Sequence, residues 1–430
     1  MRHALGGRRA GGRDLAAKSW GSGWVVVQAV ALAVLVAFVG FQPAAGARAQ
    51  PVAAEATAAS AASEGEGTTF SLTLSRGVQA QIFTVDNPYR VIIDLPDVAF
   101  KLPPGTGAGP EGLIKVFRYG LFAEQKARVV IEARGPVKVA SAAMTRVSQG
   151  QAVVLKVNLV ATDEATFAAG IGQSQAEGDD ATLPVAPNTP KAPNAKPVVL
   201  IDPGHGGIDP GAIGTGNLAE KTIVFAVAQQ LEAVLKATNR YDVRMTRTRD
   251  VFVPLDKRVR MSIESSADLF ISLHADAIAE VAYAENIRGA TVYTLSDKAT
   301  DERSRLMAEK ENASDLIAGL SGMNDDNGDQ VKDILYDLLR RETLNFSADF
   351  SNLVVSRLSK SIAMSKDPQR SAAFKVLKQP HAPSVLIELG YMSNSRDQAT
   401  MTTKAWQTKV AEAISAAVDS YFNKRTAVHP

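Results

Sequence analysis

The sequence predicts an α/β catalytic domain, a mostly parallel sheet with helices on both faces, preceded by a small all-β sandwich. Three observations predict it. From residue 197 onward, short apolar runs alternate with segments of helical spacing, the texture of a parallel sheet with crossover helices. From 68 to 160 only short strands occur, broken by Gly and Pro, as in a sandwich. Between the two blocks Pro184, Pro187, Pro190 and Pro193 recur every three residues, which is linker composition.

The chain has 430 residues, of which 46% are hydrophobic and 21% charged. That fits an ordinary globular protein and excludes a wholly disordered one. Lys and Arg number 47 against 45 Asp and Glu. The basic excess that marks a nucleic-acid binder is missing, so no nucleic-acid partner is expected. There is no Cys, which excludes disulfide scaffolds, thiolate zinc sites, Fe–S ligation and a Cys nucleophile. The five His are His3, His205, His274, His381 and His429, so any metal site must draw on few imidazoles and on carboxylates.

Taken in order, residues 1–49 read as a signal peptide. Arg2, Arg8, Arg9, Arg13 and Lys18 precede an apolar run from Trp24 to Phe41, and Ala47-Arg48-Ala49 offers a small-x-small cleavage pattern. Arg8-Arg9 hints at twin-arginine export, and a retained membrane anchor is the alternative. Residues 50–67, rich in Ala, Ser and Glu, read as a flexible spacer. In the β block, Phe70–Leu74 alternates, and Arg90–Leu95, Arg128–Glu132 and Val153–Leu159 follow as strands. Residues 161–196 form the Pro-rich linker, extended at about 3 Å per residue and expected to hold the two domains apart. Strands are expected near 198–201, 243–246, 269–273, 290–293 and 384–387. Helices are expected at 221–237, from the spacing of Val224, Val227, Ala228 and Leu231, and at about 405–422. Residues 300–365 contain no strand signal and read as a helical insertion, and 424–430 as a tail.

The polar residues that carry chemistry fall together on this scaffold. His205, in Asp202-Pro203-Gly204-His205-Gly206-Gly207, follows the first strand, and His274 follows the strand 269–273. Glu388 ends the strand 384–387, and Glu220 heads the helix after the first strand. The carboxyl edge of an open α/β sheet is where ligands bind. Singly, each has an ordinary reading: a loop His, a first-turn Glu, a strand-end charge. Jointly they suit zinc, for which two imidazoles and one carboxylate form a catalytic ligand set with an open position. The remaining carboxylate would serve as general base and then protonate a leaving amine. Metal-assisted hydrolysis of an amide is the reaction class this implies. His381 precedes the last strand at the opposite edge and reads as a loop residue.

These motifs resemble the zinc N-acetylmuramoyl-L-alanine amidases. The resemblance rests on Ile201–Gly207 with Asp209-Pro210-Gly211-Ala212, Glu220-Lys221, Thr246-Arg247, Phe270–Asp276 and Val385–Asn394, and covers nearly all of 197–423. It implies His205, Glu220 and His274 as zinc ligands and Glu388 as the catalytic glutamate. It implies peptidoglycan as substrate, cut between N-acetylmuramic acid and L-alanine. The block at 68–160 is similar to the targeting domain of periplasmic members, which binds peptidoglycan and concentrates at the division septum. The order of segments resembles the cell-separation amidases. In those enzymes a helix of the insertion covers the zinc site, one of its glutamates takes the open position, and an activator with a degenerate metallopeptidase domain displaces it. Here the resemblance offers Glu311, Glu309 and Glu302, with Glu311 preferred. It implies a periplasmic monomer.

Two other readings stand beside this one: a permanently closed wall-binding scaffold, and a zinc peptidase acting on the peptide stem. Residues 1–49 hold six Lys or Arg and one Asp, so the chain without them carries a net charge of −3 rather than +2. The mild basicity belongs to the export segment.

Overall fold

The computed structural model describes residues 53–147, 151–171, 195–277, 287–320 and 333–428. The export signal, the Arg8-Arg9 pair, the alternative anchor and the Pro-rich run 184–193 all lie outside these residues. Among the described residues no helix is long and apolar enough to cross a membrane.

The β block is a sandwich of two sheets. One has the strand order β5-β1-β2-β9-β8, from β1 (Ala54–Glu64), β2 (Gly67–Leu74), β5 (Val98–Phe100), β8 (Val137–Arg146) and β9 (Val153–Ala161). The other runs β3-β4-β7-β6, from β3 (Gln81–Val85), β4 (Arg90–Pro96), β6 (Ile114–Ala123) and β7 (Lys126–Ala133). Alternate residues face inward, as the pleat requires: Phe70, Leu72 and Leu74 meet Val91, Ile93, Leu95, Val129 and Ile131 in one core.

Two expectations change here. The expected spacer at 50–67 contains β1, paired antiparallel to β2 and parallel to β5. Its Ala/Ser composition hides the strand, because the inward positions Ala54 and Ala56 are small yet fully buried. The expected linker at 161–196 begins with a helix, α1 (Glu164–Gly170), capped by Asp163 and pinned by buried Phe167. Phe167 stacks edge-on against Tyr89 of the sandwich.

The catalytic block is a six-stranded sheet in the order β11-β10-β12-β15-β13-β14. Its strands are β10 (Val198–Pro203), β11 (Asp242–Met245), β12 (Leu269–His274), β13 (Ala290–Leu295), β14 (Met364–Ala372) and β15 (Ser384–Glu388). All neighbours are parallel except β13 and β15. The central strands are buried along their whole length, which explains their unbroken apolar runs. One face packs against α2 (Glu220–Ala237), α6 (Asp333–Leu358), the short α7 (Ser395–Met401) and α8 (Lys404–Val428); α8 carries the expected tail as helix as far as Val428. The other face is covered by α3 (Leu255–Glu264) and α4 (Glu302–Asn312), which the short α5 (Ser314–Ile317) follows. Strand β14 escapes the sequence reading because it carries Pro368 and a register shift after Met364; both are tolerated on an edge strand.

The insertion expected over 300–365 is not one detachable unit. Phe350, Val354 and Leu358 of α6 are fully buried in the main core. Among the described residues of the insertion, only the segment containing α4 and α5 lies over the site.

The two blocks are packed together, which corrects the expectation that the linker holds them apart. Ile92 and Val130 point away from the sandwich core yet are 0% and 1% exposed. They meet Ile208, Phe252 and Ala318 of the catalytic block. Arg128, held by Asp94 at 2.6 and 2.8 Å, donates to the Ala318 carbonyl at 2.8 Å, and buried Arg90 donates to the Leu316 carbonyl.

Candidate active site

Three parallel strands deliver the site to one edge of the sheet. His205 follows β10, His274 ends β12 and Glu388 ends β15, with His274 and Glu388 paired in register. Glu220 opens α2 and is fully buried beside them. The loop after β10 must run very close to the other side chains. A Cβ at Gly204 would stand 2.4 Å from the His274 ring, and one at Gly211, where φ is +68°, 2.6 Å from Glu220 Oε2. His205 itself has φ 57°, a left-handed conformation costly for a residue other than Gly.

A buried network fixes this loop. Asp202 accepts from Thr246 Oγ1, Arg258 Nη1 and Ser272 Oγ at 2.6–2.8 Å. Arg258 also donates to the His205 carbonyl, and Arg247 to those of Pro203 and Gly204. Arg258 carries no motif in the sequence reading. Its signal is a charged residue on the buried stripe of a short helix.

His205 Nδ1 is 2.8 Å from Asp209 Oδ2, which fixes the proton there and leaves Nε2 as a lone-pair donor. Glu220 Oε1 stands 3.1 Å from His205 Nε2 and 3.3 Å from His274 Nδ1. It accepts from the Ala275 amide at 2.7 Å, and Glu220 Oε2 from the Ala212 amide at 2.8 Å. Both imidazole nitrogens are buried without a hydrogen-bond partner. Two lone pairs and a carboxylate oxygen facing one point, all within 4.8 Å of one another, are what a divalent metal requires, and the donor set suits zinc. In their protonated forms His205 and His274 outweigh the burial that raises the Glu220 carboxyl pKa and hold it well below the usual range.

Glu388 differs from Glu220. Its Oε2 accepts from the Asp276 amide at 3.0 Å, while Oε1 has no partner. Burial, followed by the charges of Asp276, Glu220 and Glu311, pushes its pKa well above the usual range. A carboxyl shifted upward holds a proton more readily than an ordinary carboxylate, as a group that takes and returns a proton must.

Of the three insertion glutamates, the structure brings one to the site. Ser304, Met307, Ala308 and Glu311 form the buried face of α4. Glu311 Oε2 lies 3.2 Å from His274 Nδ1 and 3.5 Å from His205 Nε2. Glu302 and Glu309 lie on the opposite, exposed face, paired with Arg305, because the 3.6-residue repeat turns them away. Lys310 pairs with buried Asp276 beside Glu388. The cavity bounded by His205, His274 and Glu311 measures about 10 Å³, enough for an ion or a water but not for a peptide. His381 lies before β15, away from the edge that carries the site.

Residues 199–420 match the family model for N-acetylmuramoyl-L-alanine amidase, and residues 60–157 match that for the AMIN domain. The chain is 33% identical over 361 residues to the N-acetylmuramoyl-L-alanine amidase AmiC of Escherichia coli O6:H1, covering 81% of this chain and 85% of that one. It is 30% identical over 373 residues to AmiC of Neisseria meningitidis serogroup B, covering 83% and 87%. It is 35% identical over 257 residues to AmiA of Escherichia coli K12, covering 59% and 86%.

Proposed function

The chain belongs to the N-acetylmuramoyl-L-alanine amidase family and is a peptidoglycan amidase; from this premise we propose that its activity depends on zinc and is held off by α4. His205 Nε2, Glu220 Oε1 and His274 Nδ1 would hold the metal. The observation that carries this is the pair of buried, partnerless imidazole nitrogens aimed at a buried carboxylate. When bound, zinc lowers the pKa of a water toward about 7 and polarises the scissile carbonyl. Glu388 Oε1 takes the proton of the attacking water and passes it to the leaving amine of L-alanine. Asp209 keeps His205 in the ligating tautomer, and the Ala212 and Ala275 amides keep Glu220 ionised and oriented.

Glu311 closes the site. Its carboxylate faces the same two nitrogens and takes the place a water would hold, while the rest of α4 fills the space a substrate needs. A partner protein with a degenerate metallopeptidase domain relieves this by drawing α4 away. The domain at 68–160 brings the monomeric enzyme to peptidoglycan at the septum, in the periplasm, after export by the segment 1–49.

The test is dye release from labelled peptidoglycan, with metal content measured on the same sample. Zinc near one per chain and loss of activity on chelation are expected. Mass spectrometry should find a free lactyl carboxylate and a free L-alanine amine; cleavage within the stem instead would make the protein a peptidase. A metal-free protein with full activity would overturn the zinc assignment.

A further inference from the structure

The face under α4 holds a second site. Tyr293 on β13 pairs in register with Arg370 on β14 and with Leu386 on β15, two residues before Glu388. In paired strands such residues share a face, so Arg370, Tyr293 and Glu388 line the surface that α4 covers. Tyr293 packs there with Leu386, Met307 and Ala308.

Arg370 and Tyr293 are buried in an unusual way. The Arg370 side chain is 2% exposed. Its Nε donates to the Asp367 carbonyl at 3.1 Å, its Nη2 lies 3.4 Å from Asp367 Oδ2, and its Nη1 pairs with Asp301 Oδ2. Asp301 is the N-cap of α4: its Oδ1 accepts from the Ser304 amide and hydroxyl at 2.8 and 2.7 Å. The Tyr293 hydroxyl, fully buried next to this pair, faces the Ser304 hydroxyl of α4 and makes no hydrogen bond of good geometry. The helix therefore places a carboxylate at each end of its buried face, Glu311 at the imidazoles and Asp301 at Arg370.

Displacing α4 would leave the guanidinium without its main counter-charge, beside a phenol with nothing to bond. A buried Arg is a site for a carboxylate, which its planar fork matches. We propose that Arg370, with Tyr293, forms a subsite that binds a free carboxylate of the stem peptide once α4 has moved, and that Asp301 occupies it in the closed state. The proposal rests on reading α4 as a displaceable lid.

Two separations agree on which carboxylate this is. Asp301 and Glu311 are ten residues apart on one helix, or about 15 Å at a rise of 1.5 Å per residue. From β12 to β14 there are three strand steps, or about 14 Å at the usual strand spacing. An extended chain at roughly 3.5 Å per residue puts a carboxylate on the second stem residue about 7 Å from the scissile amide. One on the third residue, beyond the longer γ-linkage, reaches about twice as far. The third residue's carboxylate is the one that fits.

The test uses the zinc-loaded full chain carrying Glu388→Gln, which prevents turnover. The probes are lactyl-L-Ala-γ-D-Glu-L-Lys and its two forms amidated at the second or the third residue. Asp301→Asn retains an N-cap while releasing the charge on Arg370. It should bind the free acid about tenfold more tightly than the unsubstituted site does, the scale of one charge-assisted hydrogen bond. Amidation of the third residue, or adding Arg370→Gln, should erase that gain. Amidation of the second residue should not, and Tyr293→Phe should lower affinity for the free acid alone. An equal gain for all three peptides, or no gain for any, overturns the subsite. Should the Arg370 variants fail to fold, the three peptides on Asp301→Asn alone still decide it. The lid reading fails separately, if Glu311→Ala leaves basal dye release unchanged.

Discussion

Beneath His205, Asp202 is gripped by three side chains, Glu220 by two backbone amides and the His205 ring by Asp209. Above it, α4 turns inward only two apolar side chains, Met307 and Ala308, with polar Ser304 and Glu311 between them and the helix ends. Its outer face carries the Glu302–Arg305–Glu309 pairs, which support a helix without any neighbour. Burial of one Met and one Ala contributes on the order of 2–4 kcal/mol. The lower layer is over-determined, and the upper one is a self-sufficient helix held by polar contacts more than by apolar burial, among them Asp301 to Arg370 and Asn312 to the Ala373 carbonyl. A site that must be accurate when open and closed at rest needs both properties, and this chain assigns them to different segments.

The largest effect expected comes from breaking the lower layer's chemistry without its structure. Glu388→Gln keeps the shape and the Asp276 contact but removes the proton acceptor. We expect kcat to fall by about 10²–10⁴, with zinc content unchanged by metal analysis. A fall in zinc content would instead place Glu388 among the ligands. Next comes Glu311→Ala in the lid. The contact it loses is charge-assisted, worth about 1.5–3 kcal/mol, so basal dye release should rise by roughly tenfold or more. Unchanged basal activity would overturn the reading of α4 as a lid.

The third test reaches the lid from the other domain. Arg128 and Arg90 of the sandwich hold the Ala318 and Leu316 carbonyls just beyond α4, and Ala318 is fully buried against Ile92 and Val130. A Cβ at Gly319, where φ is +77°, would stand 2.4 Å from Ile92 Cδ1. The segment after the lid is thus fitted to the sandwich. Arg128→Ala should raise basal activity severalfold in the full chain and speed amide exchange at 313–320. Faster exchange without extra activity would show that this anchor does not govern the lid.

These layers were unequally legible. The lower one lies at the ends of continuous apolar runs, where strand ends and polar residues coincide, so His205, Glu220, His274 and Glu388 could be read directly. The lid glutamate is one of three candidates, with Glu311 preferred, because α4 has a charged composition in which 3.6-residue periodicity is faint. Yet Met307 and Ala308 stand four and three residues before Glu311 and define the stripe that selects it. The contact between domains had a signal too. Val91-Ile92-Ile93 and Val129-Val130-Ile131 are unbroken apolar runs in strands that would alternate if one face met water, and such runs mark strands covered on both sides. What no pattern carried was the pairing of distant charges, Arg370 with Asp301 and Arg258 with Asp202, because two oppositely charged residues 56 or 69 positions apart are met only by folding.

The smallest effect expected is at Lys310. It pairs with Asp276, but its side chain is 50% exposed while that of Asp276 is 2% exposed. Solvent screens such a half-open pair to about 1 kcal/mol or less, so Lys310→Ala should raise basal activity by about two- to fivefold, less than Glu311→Ala does. Asp276 makes the comparison informative, because its amide donates to Glu388 Oε2 and its Oδ1 accepts from the Ala277 amide. If Asp276 serves only the lid, Lys310→Ala changes basal rate and leaves the fully activated rate as it was. If Lys310 also balances the charge around Glu388, the activated enzyme's pH–rate profile will shift as well, and the boundary between the two layers would then run through Asp276 rather than above it.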